Sequence, residues 1–272
     1  MLTKTKKTFL KLVVAFSLFL SLFASFPESA LATNQHLLLV GGGNLPREAV
    51  TRFVSWAGGR QARILIITWA TEVPDETYQD MVKDLSAEHP GGFLWSKSPP
   101  LTAAAKAEFV SMLQQATAVF FSGGDQKRIF DVIDDDHILY ALQSRYLAGI
   151  PFAGTSAGTA VMSSVAIAGG EFDVIDGRRV PIHRGLGLVQ GVIVDQHFIR
   201  RSRENRLFGL VLLYPQYLGL GIDQDTSIAI ENGRYGEVVG PGDVMLVKAQ
   251  RVPGSLTVSL LLPGQRVDLH LR

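Results

Sequence analysis

The sequence predicts an α/β protein, an open and mainly parallel sheet with helices on both faces, completed by antiparallel strands near the C-terminus. Three observations predict it. Short apolar runs alternate with helix-compatible stretches through the first two thirds of the chain. Those runs end in glycine, where the chain must turn sharply. The last third changes to short β-rich segments separated by Asn-Gly or Pro-Gly turns. At 47% apolar and 19% charged over 272 residues, the composition is that of an ordinary globular protein with a sizeable core.

The first 32 residues stand apart from this pattern. Lys4, Lys6, Lys7 and Lys11 precede the uncharged run Leu12 to Phe26, which is 15 residues long and short of the roughly 20 needed to span a bilayer. The run leads to Ala30-Leu31-Ala32, an A-x-A cleavage pattern. This reads as a cleaved secretory signal rather than an anchor helix, with a mature chain of 240 residues from Thr33 and a secreted or periplasmic destination. Without its four Lys and one Glu, the chain keeps 22 basic and 24 acidic side chains, a formal charge of −2. The basicity of the whole therefore belongs to the leader, and the mature body shows no footprint for nucleic acid and nothing to hold it to a membrane.

From residue 33 to 272 no repeat, linker or low-complexity tract interrupts the chain, so it reads as a single domain. Strands are expected at His36–Val40, which runs into Gly41-Gly42-Gly43, at Ala62–Ile67, at Thr117–Phe121 before Gly123-Gly124, and at Ile150–Ala153 before Gly154. Helices between them have start signals such as Pro46 and Thr102. After a helix around Glu204–Leu213 come β-rich segments at Leu218–Ile230, Gly236–Val239, Asp243–Lys248, Ser255–Leu262 and Arg266–Leu271, expected to finish the sheet. Ligands of open parallel sheets sit outside the C-terminal strand ends, where the glycine turns fall.

The chain has no cysteine, which removes disulfides, thiolate nucleophiles and Cys-ligated metals together. Neither a cofactor nor a metal is called for: Asp134-Asp135-Asp136-His137 reads as a solvated acidic turn, since successive residues seldom converge on one ion. Gly154-Thr155-Ser156-Ala157-Gly158 fits G-x-S-x-G between an apolar strand and a helix-compatible run, the context of a nucleophile elbow. A serine nucleophile needs an imidazole to take its proton and an acid to orient that imidazole. His36, His89, His137 and His270 read as surface or packing residues. His197, ending Val192–Phe198, comes to the same sheet edge as Ser156, with His183 the weaker candidate. Glu171, Asp173 and Asp176 lie between them, and Glu171 is favoured because Gly169 and Gly170 let its loop approach the ring.

The set Phe120-Phe-Ser-Gly-Gly-Asp-Gln126, Gly154–Gly158, and Asp195-Gln-His-Phe198 followed by Arg201, Arg203 and Arg206 resembles the cyanophycinases, in their exported form. These are serine-type hydrolases in the peptidase family that also contains aspartyl dipeptidase E. The resemblance covers essentially the whole mature chain. It implies a class I glutamine-amidotransferase-like sheet and a homodimer. Ser156 is implied as nucleophile, His197 as base and an acid near Glu171, with an oxyanion hole from the N–H groups of Gly124 and Ala157. Gln126, Gln196, Arg201, Arg203 and Arg206 are implied to shape the pocket, and guanidinium forks do suit carboxylates. The implied substrate is cyanophycin, a poly-aspartate bearing arginine on each side-chain carboxyl, released as β-aspartyl-arginine dipeptides. Asp173, Asp176 or Asp225 could receive its guanidinium groups. The alternatives are an aspartyl dipeptidase acting on small peptides and a non-catalytic binding protein on the same fold.

Overall fold

The computed structural model describes residues 34–270, so the expected signal segment lies outside the described residues. Five parallel strands form one side of the main sheet, out to its edge at β3: β1 (His36–Val40), β2 (Arg63–Ile67), β3 (Gly92–Ser96), β4 (Ala118–Phe121) and β5 (Phe152–Thr155). Two small strands, β6 (Val165–Ile167) and β7 (Ile182–Arg184), pair with each other. Then come β8 (Val192–Gln196), β9 (Leu218–Ile222), β10 (Ser227–Glu231), β11 (Tyr235–Val239), β12 (Val244–Ala249), β13 (Leu256–Leu261) and β14 (Arg266–Asp268). The main sheet runs β14-β11-β10-β1-β5-β4-β2-β3, and a separate sheet runs β13-β12-β9-β8.

The helices are α1 (Arg47–Trp56), α2 (Pro74–Ser86), α3 (Ala103–Gln115), α4 (Gln126–Ile133), α5 (Asp136–Leu147), α6 (Ala157–Ala160) and α7 (Glu204–Leu213). Three of them start on a side-chain cap: Thr102 accepts from the Ala105 N–H, Asp125 from Lys127 and Asp135 from His137.

Strand residues pointing in both directions are buried. Leu38 and Val40 pack with Phe53 of α1 and Leu85 of α2 on one face, while Leu37 and Leu39 pack with Phe109, Ile129 and Leu142 of α3, α4 and α5 on the other. A parallel sheet covered on both faces therefore reads as an unbroken apolar run. Each fully buried Leu, Ile, Val or Phe contributes about 1.5–3 kcal/mol, and β1, β2 and β4 are built mainly of them. The predicted two-faced α/β layering is the observed one.

The C-terminal third departs from expectation. Only β10, β11 and β14 finish the main sheet, whereas β9, β12 and β13 join β8 in the second sheet. Leu218–Ile230, read as one β segment, is two strands in two sheets joined through Asp223–Thr226. The inner face of the second sheet joins the α3–α5 side of the core through Val192, Val194, Leu220 and Ile222. Its other face receives α7, where Ile193, Phe198 and Val247 meet Leu207, Leu210 and Val211.

Candidate active site

The C-terminal end of β1 is the scaffold of the site. Three successive carbonyls leave it and each receives a different segment: Val40 O accepts from Ser156 N at 3.1 Å, Gly41 O from His197 N at 2.7 Å, and Gly42 O from Asp225 N at 2.8 Å. One strand end thus fixes the loops after β5, after β8 and between β9 and β10. Gly42 has φ +100°, and a Cβ there would stand 2.2 Å from His197 Cε1, so only glycine lets the ring lie against the backbone.

Ser156 sits on the turn between β5 and α6 with φ 52° and ψ −113°, a strained conformation for a residue with a side chain. Thr159 Oγ ties the turn down by donating to Val40 O and Gly154 O, each at 2.7 Å. A Cβ on Gly154 would fall 2.4 Å from the Gly158 carbonyl, and one on Gly158 would fall 2.3 Å from Phe121 O, so both glycines of the pentapeptide are sterically required. The result is a half-buried hydroxyl on a tight turn with its Oγ 2.8 Å from Nε2 of His197. His197 itself adopts φ 47°.

The far side of the imidazole holds the main departure from expectation. Nδ1 faces the side-chain amide of Gln224, whose Nε2 is 2.7 Å away. Glu171, expected there, is exposed, and its charge acts on Arg203. The reason is local: Arg206 donates to Gly170 O, and Asn205 Nδ2 donates to Phe172 O at 3.0 Å, so the Glu171 loop is pinned to α7. Asp173 is exposed, and Asp176 caps the Arg178 N–H at 3.0 Å. Gln224 escaped sequence reading because it lies in a segment read as continuous strand. His183 stacks on Phe130 at 4.4 Å, with its Nε2 3.5 Å from Asp134, and takes no part in the Ser156 pair.

The Arg cluster divides. Arg206, in α7, is 1% exposed, and its guanidinium grips both oxygens of buried Asp195 as well as Gly170 O. It is a structural clamp between α7 and β8 rather than the free substrate fork that was expected, because its donors are consumed inside the protein. Arg203 is buried, donates to Gln196 O at 2.6 Å, and keeps an unpartnered Nε. Burial, reinforced by Arg206, lowers its pKa to about 10. Arg201 is exposed and stands close enough to His197 to repel a proton from it.

Of the glutamines, Gln196 is buried with its Oε1 unpartnered, while Gln126 donates its amide to Ile167 O at 3.2 Å. Asp225, one of the candidates for the substrate guanidinium, accepts at Oδ1 from the backbone N–H of Asn44 at 2.6 Å and from Asn44 Nδ2 at 3.1 Å.

Gly123 and Gly124 pass beside Ser156. A Cβ on Gly123 would lie 3.4 Å from that of Ser156, and Gly124 has φ +137° with no room for a side chain against the Ala70 carbonyl. The N–H of Ala157 opens α6, where first-turn amides have no partner within the helix. The electrostatics are those of a base held neutral. Burial, then Arg201 and Arg203, lower the His197 pKa to about 4 against the opposing pull of Asp223. A neutral imidazole with its proton on Nδ1, which the Gln224 amide serves by turning its oxygen to the ring, can accept the proton of the strained, half-buried serine hydroxyl during attack on a carbonyl.

The family model for peptidase family S51 matches residues 37–238. A cyanophycinase from Synechococcus elongatus is 33% identical over 234 residues, covering 81% of this chain and 72% of that protein. One from a Nostoc species is 35% identical over 225 residues, 79% of this chain and 74% of that protein. The crystal structure of a peptidase from an acI-B1 actinobacterium superposes with a TM-score of 0.68 at 21% identity, covering 87% of this chain and 98% of that one. The chain is an enzyme of the serine peptidase type and belongs to peptidase family S51.

Proposed function

We propose that the protein is an exported serine exopeptidase that degrades cyanophycin to β-aspartyl-arginine dipeptides. The observation that carries this reading is the 2.8 Å contact between Ser156 Oγ and His197 Nε2 on a positive-φ elbow. Ser156 attacks the scissile carbonyl while Nε2 takes its proton, and the N–H groups of Gly124 and Ala157 receive the developing oxyanion. His197 then gives the proton to the leaving amine. Water hydrolyses the acyl-enzyme by the same route in reverse order.

Substrate recognition rests on Arg201, which is exposed and close enough to His197 to act on its charge. Guanidinium groups suit the carboxylates of a poly-aspartate chain. Arg203 Nε and Gln196 Oε1 have no partner among the described residues and are buried from solvent. The cyanophycinase relatives make this polymer the specific choice. Export follows from the Lys-rich leader and its Ala30-Leu31-Ala32 exit, and the homodimer from the family resemblance.

The test is incubation of the protein from Thr33 onward with insoluble cyanophycin. Soluble β-aspartyl-arginine, absent with Ser156→Ala, supports the reading. Cleavage of small aspartyl peptides with the polymer left intact would replace it with a dipeptidase.

A further inference from the structure

We propose that Gln224 is the positioning residue of His197, and that by being an amide rather than a carboxylate it holds the ring while leaving the imidazolium form uncompensated. The inference rests on the serine-hydrolase reading above and concerns how strongly the base can act.

Gln224 lies on the connection between the two sheets, one residue before Asp225, whose N–H is fixed on Gly42 O at 2.8 Å. Its amide is therefore delivered to Nδ1 by the same strand end that holds the ring. A base that takes a proton from serine on Nε2 must carry its own proton on Nδ1 and must become imidazolium in the transition state. A carboxylate at Nδ1 can only accept, so it selects that tautomer and stabilises the positive charge. An amide has both a donor and an acceptor face, so by turning it serves either tautomer, and it brings no negative charge.

The surroundings do not supply the missing charge at Nδ1. Arg201 and Arg203 repel a proton on His197, and Asp223 is the opposing anion, its Oδ1 already accepting from the Arg200 N–H at 3.1 Å. Asp225 is engaged by Asn44, and Glu171 acts on Arg203. The β1 side of the ring is covered by Gly42, which has no side chain. His197 is thus oriented with no carboxylate on Nδ1, the pull of Asp223 is outweighed by burial and the two arginines, and the proton affinity of the base is the quantity that one substitution should raise.

Gln224→Glu and Gln224→Ala test this in the full chain from Thr33, with two readouts. The first is the titration of His197 by NMR in protein labelled with 15N-histidine. The second is the rate at which Ser156 reacts with a fluorophosphonate from about pH 3 to about pH 9, a range that brackets the lowered His197 pKa of about 4. In that reaction Oγ forms a bond to phosphorus, fluoride leaves, and the serine proton passes to His197. The reagent contains neither aspartate nor arginine, so the result is independent of the substrate assignment.

Gln224→Glu should raise the His197 pKa by about one unit or more, as an adjacent opposite charge does. The acid limb of the phosphonylation profile should move up with it, and the plateau rate should rise about tenfold or more as the imidazolium is stabilised. Gln224→Ala should lower the plateau rate about tenfold or more at an unchanged Tm, through loss of ring orientation. An unmoved titration and plateau in Gln224→Glu would overturn the proposal, as would an unaltered rate in folded Gln224→Ala. If Ser156 in the unsubstituted protein failed to react, the serine-hydrolase reading would fall, while the His197 titrations would still decide the role of Gln224.

Discussion

Ser156 and His197 meet across one hydrogen bond, but the chain builds the two sides of that bond by opposite means. The serine side is local and rigid. Strand, turn and helix are consecutive, both glycines of the pentapeptide are demanded by backbone atoms within 2.4 Å, and Thr159 ties the turn to two carbonyls. The histidine side is assembled from distant parts. His197 follows β8 of the second sheet, its partner Gln224 lies in the crossover from that sheet to the main one, and both are oriented by glycine-rich backbone at the end of β1. Strain stored in one short turn places the proposed nucleophile, whereas agreement among three loops places the proposed base. Changes on the serine side should therefore act all or none, and changes on the histidine side should be graded.

The largest effect tests the serine side directly. Ser156→Ala should retain the melting temperature and lose kcat/KM on cyanophycin by about three orders of magnitude or more, as nucleophile deletions do. Residual turnover close to the parent value would remove the serine from the reaction. On the histidine side, Gly42→Ala places a Cβ 2.2 Å from the ring and should displace it without unfolding the sheet. A displacement of about 1 Å predicts a loss near a hundredfold in kcat. Steady-state kinetics paired with thermal melts would check it, and unchanged kinetics would show that the ring does not need that backbone approach.

The two outer arginines sharpen the contrast between structure and chemistry. Arg206→Ala removes the guanidinium that grips both oxygens of buried Asp195 and leaves it only the more distant Arg203 at 3.8 Å, so it should cost about 3 kcal/mol of stability in denaturant unfolding. Arg201→Ala removes an exposed fork beside the base. Stability should hold within about 0.5 kcal/mol while kcat/KM on the polymer falls roughly tenfold to a hundredfold. Equal stability losses in both variants would erase the division between them.

The smallest effect is on pH. His197 must be neutral to act, and its pKa is depressed from 6.5 to about 4, chiefly by burial and then by Arg201 and Arg203. The acid limb of kcat/KM should accordingly lie well below 6.5, leaving activity on its plateau at pH 6. Arg201→Ala removes one repelling charge, so its limb should move upward. A limb at or above pH 6.5 in the unsubstituted enzyme would contradict the environment described for the ring.

How much of this was legible in the sequence follows the same local and distant division. The parallel sheet, its two helical faces and the elbow were readable because each is encoded within a few consecutive residues: apolar runs, capping residues and a glycine-serine pentapeptide. His197 was readable from its strand end. Gln224 was not, because Leu218–Ile230 carries one continuous β pattern, and its division between two sheets is decided by tertiary packing. Glu171 follows two glycines and lies between Ser156 and His197 in the chain, but its loop is tied to α7 through Asn205 and Arg206. The burial of Arg206 was equally hidden, since it depends on the second sheet closing over the helix. The close spacing of Arg201, Arg203 and Arg206 suggested a common role, yet they fall respectively on an exposed turn, at the helix entry and inside the helix.

The central claim is that His197 activates Ser156 across the 2.8 Å contact. Its most direct test is peptide mapping by mass spectrometry after brief exposure to a fluorophosphonate, with His197→Ala treated in parallel. The account predicts one adduct, on Ser156, forming at least a hundredfold more slowly when the imidazole is removed. An adduct on another residue, or equal rates of Ser156 labelling in the two proteins, would contradict it.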